Sequence, residues 1–199
     1  MIRLLLIFCL LFACLQTQAQ QDTQELAFDT SYVFTDLQQA LHNASQVRHL
    51  DLSRKQLKAF PIEVMAFRNL VSLNLSRNHI RVLPDTIASL QSLEILNLYR
   101  TGLDELNPKI GELSNLKTFI CSRNNLVFLP KSIGKLKNLT YLDLWDNNLS
   151  ILPDEVAELK ALQTLDLRGI LFSPTEHERF KALVPHAKVF LSPSCNCKN

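Results

Sequence analysis

Four arginines recur at a constant interval of 23 residues, Arg54, Arg77, Arg100 and Arg123, inside short polar runs such as Ser-Arg-Asn. A guanidinium is a planar fork of donors that matches carboxylates and other oxyanions, so a row of them is a candidate anion stripe. A copied repeat with solvated side chains would give the same row. The residues just ahead of them are Ser53, Ser76, Tyr99 and Ser122, and the series continues with Trp145 and Arg168. Asp146 and Gly169 then stand where arginine would be. Tyr and Trp are the commonest partner anchors, and Tyr141 joins Tyr99 and Trp145 on the same expected face. Asp143, Asp146 and Asp166 put carboxylates at that end. Calcium would need several such oxygens to converge on one ion, so a solvated polar face is the simpler expectation.

Other chemistry is thin. His42, His49, His79, His177 and His186 form no H-E-x-x-H motif or i, i+4 pair, and no G-x-S-x-G elbow or glycine-rich phosphate loop occurs among four glycines. No enzyme, cofactor or resident metal is expected. The charge is balanced, 21 Lys+Arg against 19 Asp+Glu, which gives no case for nucleic acid or an anionic membrane.

The elements that position these residues follow from an internal period. Val47, Leu70, Leu93, Leu116, Leu139 and Leu162 open successive units, with no residue inserted or lost between them. Leu139–Ala161 shows the pattern: apolar residues at positions 1, 4 and 6, Asn at 9, Leu-Pro at 14 and 15, and Val156 and Leu159 at helical spacing. Apolar alternation at 4 and 6 is strand periodicity. The fourth-position residues Leu50, Leu73, Leu96, Phe119, Leu142 and Leu165 should face inward. So should Leu52, Leu75, Leu98, Cys121, Leu144 and Leu167. Positions 3, 5, 7 and 8 then face out of the sheet, with neighbouring copies ~4.8 Å apart. Asn78, Asn124 and Asn147 should turn inward to bond exposed backbone groups. Lys55, Thr101 and Ile170 interrupt that ladder. The outer two lie in edge repeats, whereas Thr101-Gly102 is a true irregularity, and its hydroxyl can replace part of an asparagine.

This pattern, L-x-x-L-x-L-x-x-N-x-L followed by L-P, resembles the 23-residue leucine-rich repeats of many bacterial exported proteins, plant intracellular proteins and Ras-pathway scaffolds. The resemblance covers roughly Val47–Leu167. It implies an α/β solenoid, a right-handed horseshoe with a parallel concave sheet and short convex helices. Those families share a binding scaffold and not a chemistry.

The ends complete the expectation. Arg3, the apolar run Leu4–Leu15 and Thr17-Gln18-Ala19 resemble a secretory signal cleaved after Ala19, too short to span a bilayer. The alternative is a lipobox ending at Cys14, which would tether the protein to a membrane. Residues 20–30 read as a linker and 31–46 as a helical cap, with Thr35-Asp36-Leu37-Gln38 as a capping box. Repeats occupy 47–172, five full and a sixth partial. Ser173-Pro174-Thr175-Glu176 opens a second capped helix, and 173–191 form a C-terminal cap ending in a short strand over Ala187–Leu191. Residues 192–199 are a tail in which Cys195 and Cys197 form either a local disulfide or no bond. Four N-x-S/T sequons, at Asn43, Asn74, Asn138 and Asn148, arise largely from the repeat wording.

The reading is an exported, monomeric, non-catalytic module, periplasmic, cell-surface or secreted. It would bind a protein or peptide on the concave sheet through Tyr99, Arg100, Arg123, Tyr141, Asp143, Trp145 and Asp146. The alternative is a carbohydrate or cell-wall glycan stacked on the same aromatics.

Overall fold

The computed structural model describes residues 32–193. The signal segment with Cys14 and Ala19, the linker, and Cys195 and Cys197 lie outside the described residues. Contacts divide the chain between Tyr32 and Val33, and every element below belongs to the unit that begins at Val33.

Eight short strands form one parallel sheet in sequence order. They are β1 (Val33–Phe34), β2 (His49–Asp51), β3 (Ser72–Asn74), β4 (Ile95–Asn97), β5 (Thr118–Ile120), β6 (Tyr141–Asp143), β7 (Thr164–Leu167) and β8 (Lys188–Leu191). The register is the sequence period itself: Leu50, Leu73, Leu96, Phe119, Leu142, Leu165 and Val189 lie abreast. The fourth- and sixth-position sets named above are all buried, from Leu50 to Leu167. A single repeat cannot bury these side chains alone, so each is stabilised by its neighbours. Cys121 is fully buried at a leucine site, and burial pushes its thiol up to about 12, so it packs as a small hydrophobe.

The return segments are 3-10 helices, Ile62–Ala66, Asp85–Ser89, Pro108–Glu112, Lys131–Lys135 and Asp154–Glu158. Their buried faces are Val64, Ile87, Ile110, Ile133 and Val156, backed by Phe67, Leu90, Leu113, Leu136 and Leu159. Proline precedes four of them, its fixed φ setting an extended residue at the entrance. In the third repeat Asn107 takes that place and its side chain accepts from Lys109 N at 2.8 Å, with Pro108 as the first helical residue. The displaced proline thus comes with its own cap. At Gly134 an added Cβ would sit 2.4 Å from Glu155 O, so the bare Cα is what lets adjacent convex turns approach here.

The asparagine ladder has a division of labour that spacing alone does not show. Asn124 Oδ1 accepts from Thr101 N and Leu103 N of the preceding repeat, each at 3.0 Å. Its Nδ2 donates to Leu98 O (2.8 Å) and Cys121 O (3.0 Å). Asn78 does the same for Lys55 N, Leu57 N, Leu52 O and Leu75 O. Each asparagine thus serves the repeat before its own, and Asn147 does so for the fourth repeat, which has an asparagine itself, through Leu126 N and Cys121 O. Thr101 Oγ1 adds a bond to Leu98 O at 3.1 Å, the partial replacement expected of it.

The caps depart from expectation in two details. The helix α1 (Leu37–His42) is capped by Asp36 and not Thr35: the Asp36 carboxylate accepts from Gln39 N at 2.8 Å, because the helix starts one residue later than the Thr-x-x-Gln frame requires. The pair Val33–Phe34 ahead of it forms a strand that extends the sheet over the first repeat. At the other end α2 (Pro174–Leu183) has Ser173 as its cap and Pro174 at its first position, as read. β8 pairs parallel with β7, and Phe172 and Phe180 pack edge to face at 4.7 Å.

Candidate functional site: the concave sheet and its rim

The strands of the first five repeats end at position 5 and β7 ends at position 6, so positions 7 and 8 lie in the turn that follows and form a rim beside the sheet. Position 8 is left-handed in every repeat: Arg54, Arg77, Arg100, Arg123 and Asp146 have φ between 54° and 57°, and Gly169 has +76°. Non-glycine residues adopt this region at a cost, and only a turn over-determined by its neighbours holds them there. This corrects the picture of an arginine row on the sheet face: the arginines emerge from a bend at its edge.

In all five non-glycine cases the bend is braced by the position-8 N–H donating to the position-7 carbonyl of the next repeat, as Arg123 N does to Trp145 O. In most repeats the position-5 side chain adds a second bond. Asp51, Asn74, Asn97, Asp143 and Asp166 each accept from the backbone N–H two residues on, of Ser53, Ser76, Tyr99, Trp145 and Arg168, at 2.8–3.1 Å. This is the Asx turn. The Asp/Asn column read as a solvated polar face is thus a structural device. Ile120 is the exception, and there Ser122 is buried with its hydroxyl donating to Asp143 Oδ2 at 2.6 Å. The Asp166 carboxylate is taken by Arg168 as well. Among the described residues no group of three or more His, Cys, Asp or Glu could hold a metal ion.

The aromatic residues are half-buried against these turns. The Arg123 guanidinium lies 4.7 Å from the Trp145 ring centroid and its Nε is 3.2 Å from Asp146 Oδ2. On the other side Trp145 leans over Gly169, where a Cβ would come within 3.1 Å of the indole nitrogen. Charge and ring therefore meet in one stack, Asp146–Arg123–Trp145, in which the guanidinium face is used by the indole. Arg77 stands in the same relation to Tyr99, at 5.6 Å. Tyr141 begins β6 beside Asp143. Partial burial, then the Asp143 and Asp166 charges, raise its hydroxyl above the ordinary phenol value, so at neutral pH it is a donor. Of the seven residues expected to bind, Arg123, Trp145 and Asp146 form one interacting group and Tyr141 and Asp143 are strand neighbours. Tyr99 sits two repeats away, and Arg100 has no carboxylate partner among the described residues.

The sequence reading missed Phe190. Its register opposite Asp166 places it on the concave face, where Arg168 lies 5.3 Å and Lys188 Nζ 4.6 Å from its ring centroid. Alternation in Lys-Val-Phe-Leu was the signal available, but only the pairing of β8 with β7 sets its facing.

Asp143 carries an electrostatic consequence. Burial raises its carboxyl above the ordinary range, and the Asp166 charge pushes the same way, against the Ser122 and Trp145 bonds that pull it down. The folded protein thus holds this proton at pH values where the unfolded chain has lost it, and stability falls as pH rises through that window just above the usual carboxylate range. Asn fills the same turn role at Asn74 and Asn97. Asp143→Asn should therefore melt no lower than wild type at pH 7, with its relative advantage shrinking as pH is lowered through that window. Thermal melts at a series of pH values check this, and a variant that loses most at pH 7 would contradict it.

One parallel sheet, backed by return turns at a fixed period, defines a solenoid repeat protein. The sequence matches family models described as leucine rich repeat over residues 69–90 and 114–169. A leucine-rich repeat protein of Leptospira interrogans is 32% identical, with a TM-score of 0.68 over 82% of this chain and 47% of that one. The plant peptide hormone receptor RGFR1 in complex with RGF2 is 32% identical (TM-score 0.52, 62% of this chain and 20% of that one). The PEPR1-AtPEP1 structure is 31% identical (TM-score 0.53, 58% and 17%). No curated protein matches the sequence. The chain thus spans about half the length of the Leptospira protein and a fifth or less of the plant receptor chains. It is a leucine-rich repeat protein.

Proposed function

We propose that the protein is an exported, non-catalytic module that binds a protein or peptide across the concave sheet. The observation that carries this reading is the stack of Trp145 on Arg123 beside Asp146, with Tyr141, Tyr99 and Phe190 on the same side. Pre-positioned aromatic rings with charged rims bind a chain at low entropic cost, because they are already immobile before the partner arrives. The similarity to a peptide hormone receptor in complex with its ligand supports a peptide partner. Export rests on the N-terminal sequence alone.

The test is a salt series on a partner captured from cell-envelope extract with the mature domain. Binding to a rim that carries Arg100 and Arg123 should weaken several-fold between about 50 and 500 mM salt, mostly through slower association. A glycan stacked on Trp145 and Tyr141 would bind nearly independently of salt, and that result would replace the peptide reading with the carbohydrate one.

A further inference from the structure

Position 10 carries a side chain in five of the six repeats, Gln56, His79, Asn125, Asn148 and Leu171, and is bare only at Gly102. Gly102 has φ +75°, and an added Cβ would meet nothing within 4 Å, so no neighbour fills the gap. A cleft of about 410 Å³ opens there, lined by Arg77, His79, Arg100 and Arg123 together with Thr101 and Gly102. None of the lining residues is acidic. Arg123 is shared with Asp146, whereas Arg77 and Arg100 have no carboxylate partner among the described residues.

The backbone is altered at the same place. In the second, fourth and fifth repeats the position-10 N–H donates to the preceding repeat: His79 N to Leu57 O (2.8 Å), Asn125 N to Leu103 O (2.8 Å) and Asn148 N to Leu126 O (2.9 Å). Gly102 breaks this rung, and its N–H has no acceptor among the described residues. Two arginines without acidic partners, a third held by one carboxylate and a glycine with an unused backbone donor line one hollow. Backbone N–H groups beside a left-handed residue are recurrent anion binders.

We propose that this cleft is an oxyanion site that takes a tetrahedral phosphate- or sulfate-class dianion. A carboxylate presents two oxygens in one plane, whereas the donors here come from three successive repeats and from the Gly102 backbone. A tetrahedral anion offers oxygens in all these directions and enough charge for two arginines. The site lies on the rim and is tested without any peptide, so its failure would leave the concave-face reading untouched.

The experiment is a titration of the full chain with inorganic phosphate at constant ionic strength, chloride being exchanged out, while the Gly102 amide is followed by NMR. The Gly102 resonance should shift saturably. Arg100→Gln should weaken binding at least about tenfold through loss of a charge-assisted fork. Gly102→Asn should do the same, since Asn tolerates the left-handed backbone and puts a side chain at the bare position. Lys137→Ala, on the convex face, should bind as wild type. Phenyl phosphate distinguishes the sources: tighter binding than phosphate assigns the site to a phosphate ester on a larger ligand, weaker binding to the free ion. A non-saturating Gly102 response, unchanged affinity in Arg100→Gln, or acetate binding as tightly as phosphate would each overturn the proposal.

Discussion

Asn124→Ala should destabilise the protein by about 2–4 kcal/mol, although it removes only a carboxamide. The side chain is buried and satisfies Thr101 N, Leu103 N, Leu98 O and Cys121 O at once. Alanine supplies no replacement, and each buried backbone group left without a partner costs on the order of 1–3 kcal/mol. Water entering the small void and the Thr101 hydroxyl, which already reaches Leu98 O, keep the total below the sum of the parts. The effect should be larger here than at Asn147, whose Oδ1 accepts from one backbone N–H, that of Leu126 at 3.2 Å, where Asn124 accepts from two. Urea denaturation checks it, with Asn125→Ala as the control. The Asn125 amide serves the exposed Asp104 at 3.0 Å, so its loss should stay within about 0.5 kcal/mol. Equal losses in the two variants would mean that the ladder contributes nothing specific.

Trp145→Ala should remove at least about 2 kcal/mol of partner binding while changing the melting behaviour little. The indole is the largest ring on the concave side and is held from both sides, by Arg123 at 4.7 Å and by the bare Gly169. A partner can cover it without ordering it first. Truncation also releases Arg123 toward Asp146, so Trp145→Ala and Arg123→Ala should be non-additive, each removing part of the same stack. Arg100, which has no carboxylate partner among the described residues, should behave differently: Arg100→Ala should slow association and flatten its salt dependence. Lys137→Ala should leave binding unchanged, since that side chain pairs with Glu158 on the convex face. Titration calorimetry and stopped-flow association on one captured partner measure all four. Wild-type affinity in Trp145→Ala together with lost binding in Lys137→Ala would move the site to the convex surface.

Much of this was legible before any coordinates. An unbroken period of 23 residues with leucines at 1, 4 and 6 admits one packing solution, because each repeat can bury its apolar edge only against its copies. Hence the register, the buried sets from Leu50 to Leu167, the asparagine ladder and the Ser173 cap all follow from the sequence. Each is a local or nearest-neighbour matter. What the tertiary structure alone decided lies where one chain position answers to several neighbours. The position-8 arginines proved to be left-handed turn residues, braced by the position-7 carbonyl of the next repeat and mostly also by an Asp or Asn at position 5, and spacing does not reveal those bonds. Asn124 was visible as a buried amide, but its service to the repeat before it depends on how the strands lie side by side. Phe190 joined the face only through the pairing of β8 with β7. The Thr101-Gly102 irregularity, a mere blemish in the pattern, became a cleft because three arginines from consecutive repeats surround the one position that lacks a side chain. Periodicity determines which atoms a repeat protein must bury; the side-chain contacts between neighbouring repeats decide which charges and donors are left over for a ligand.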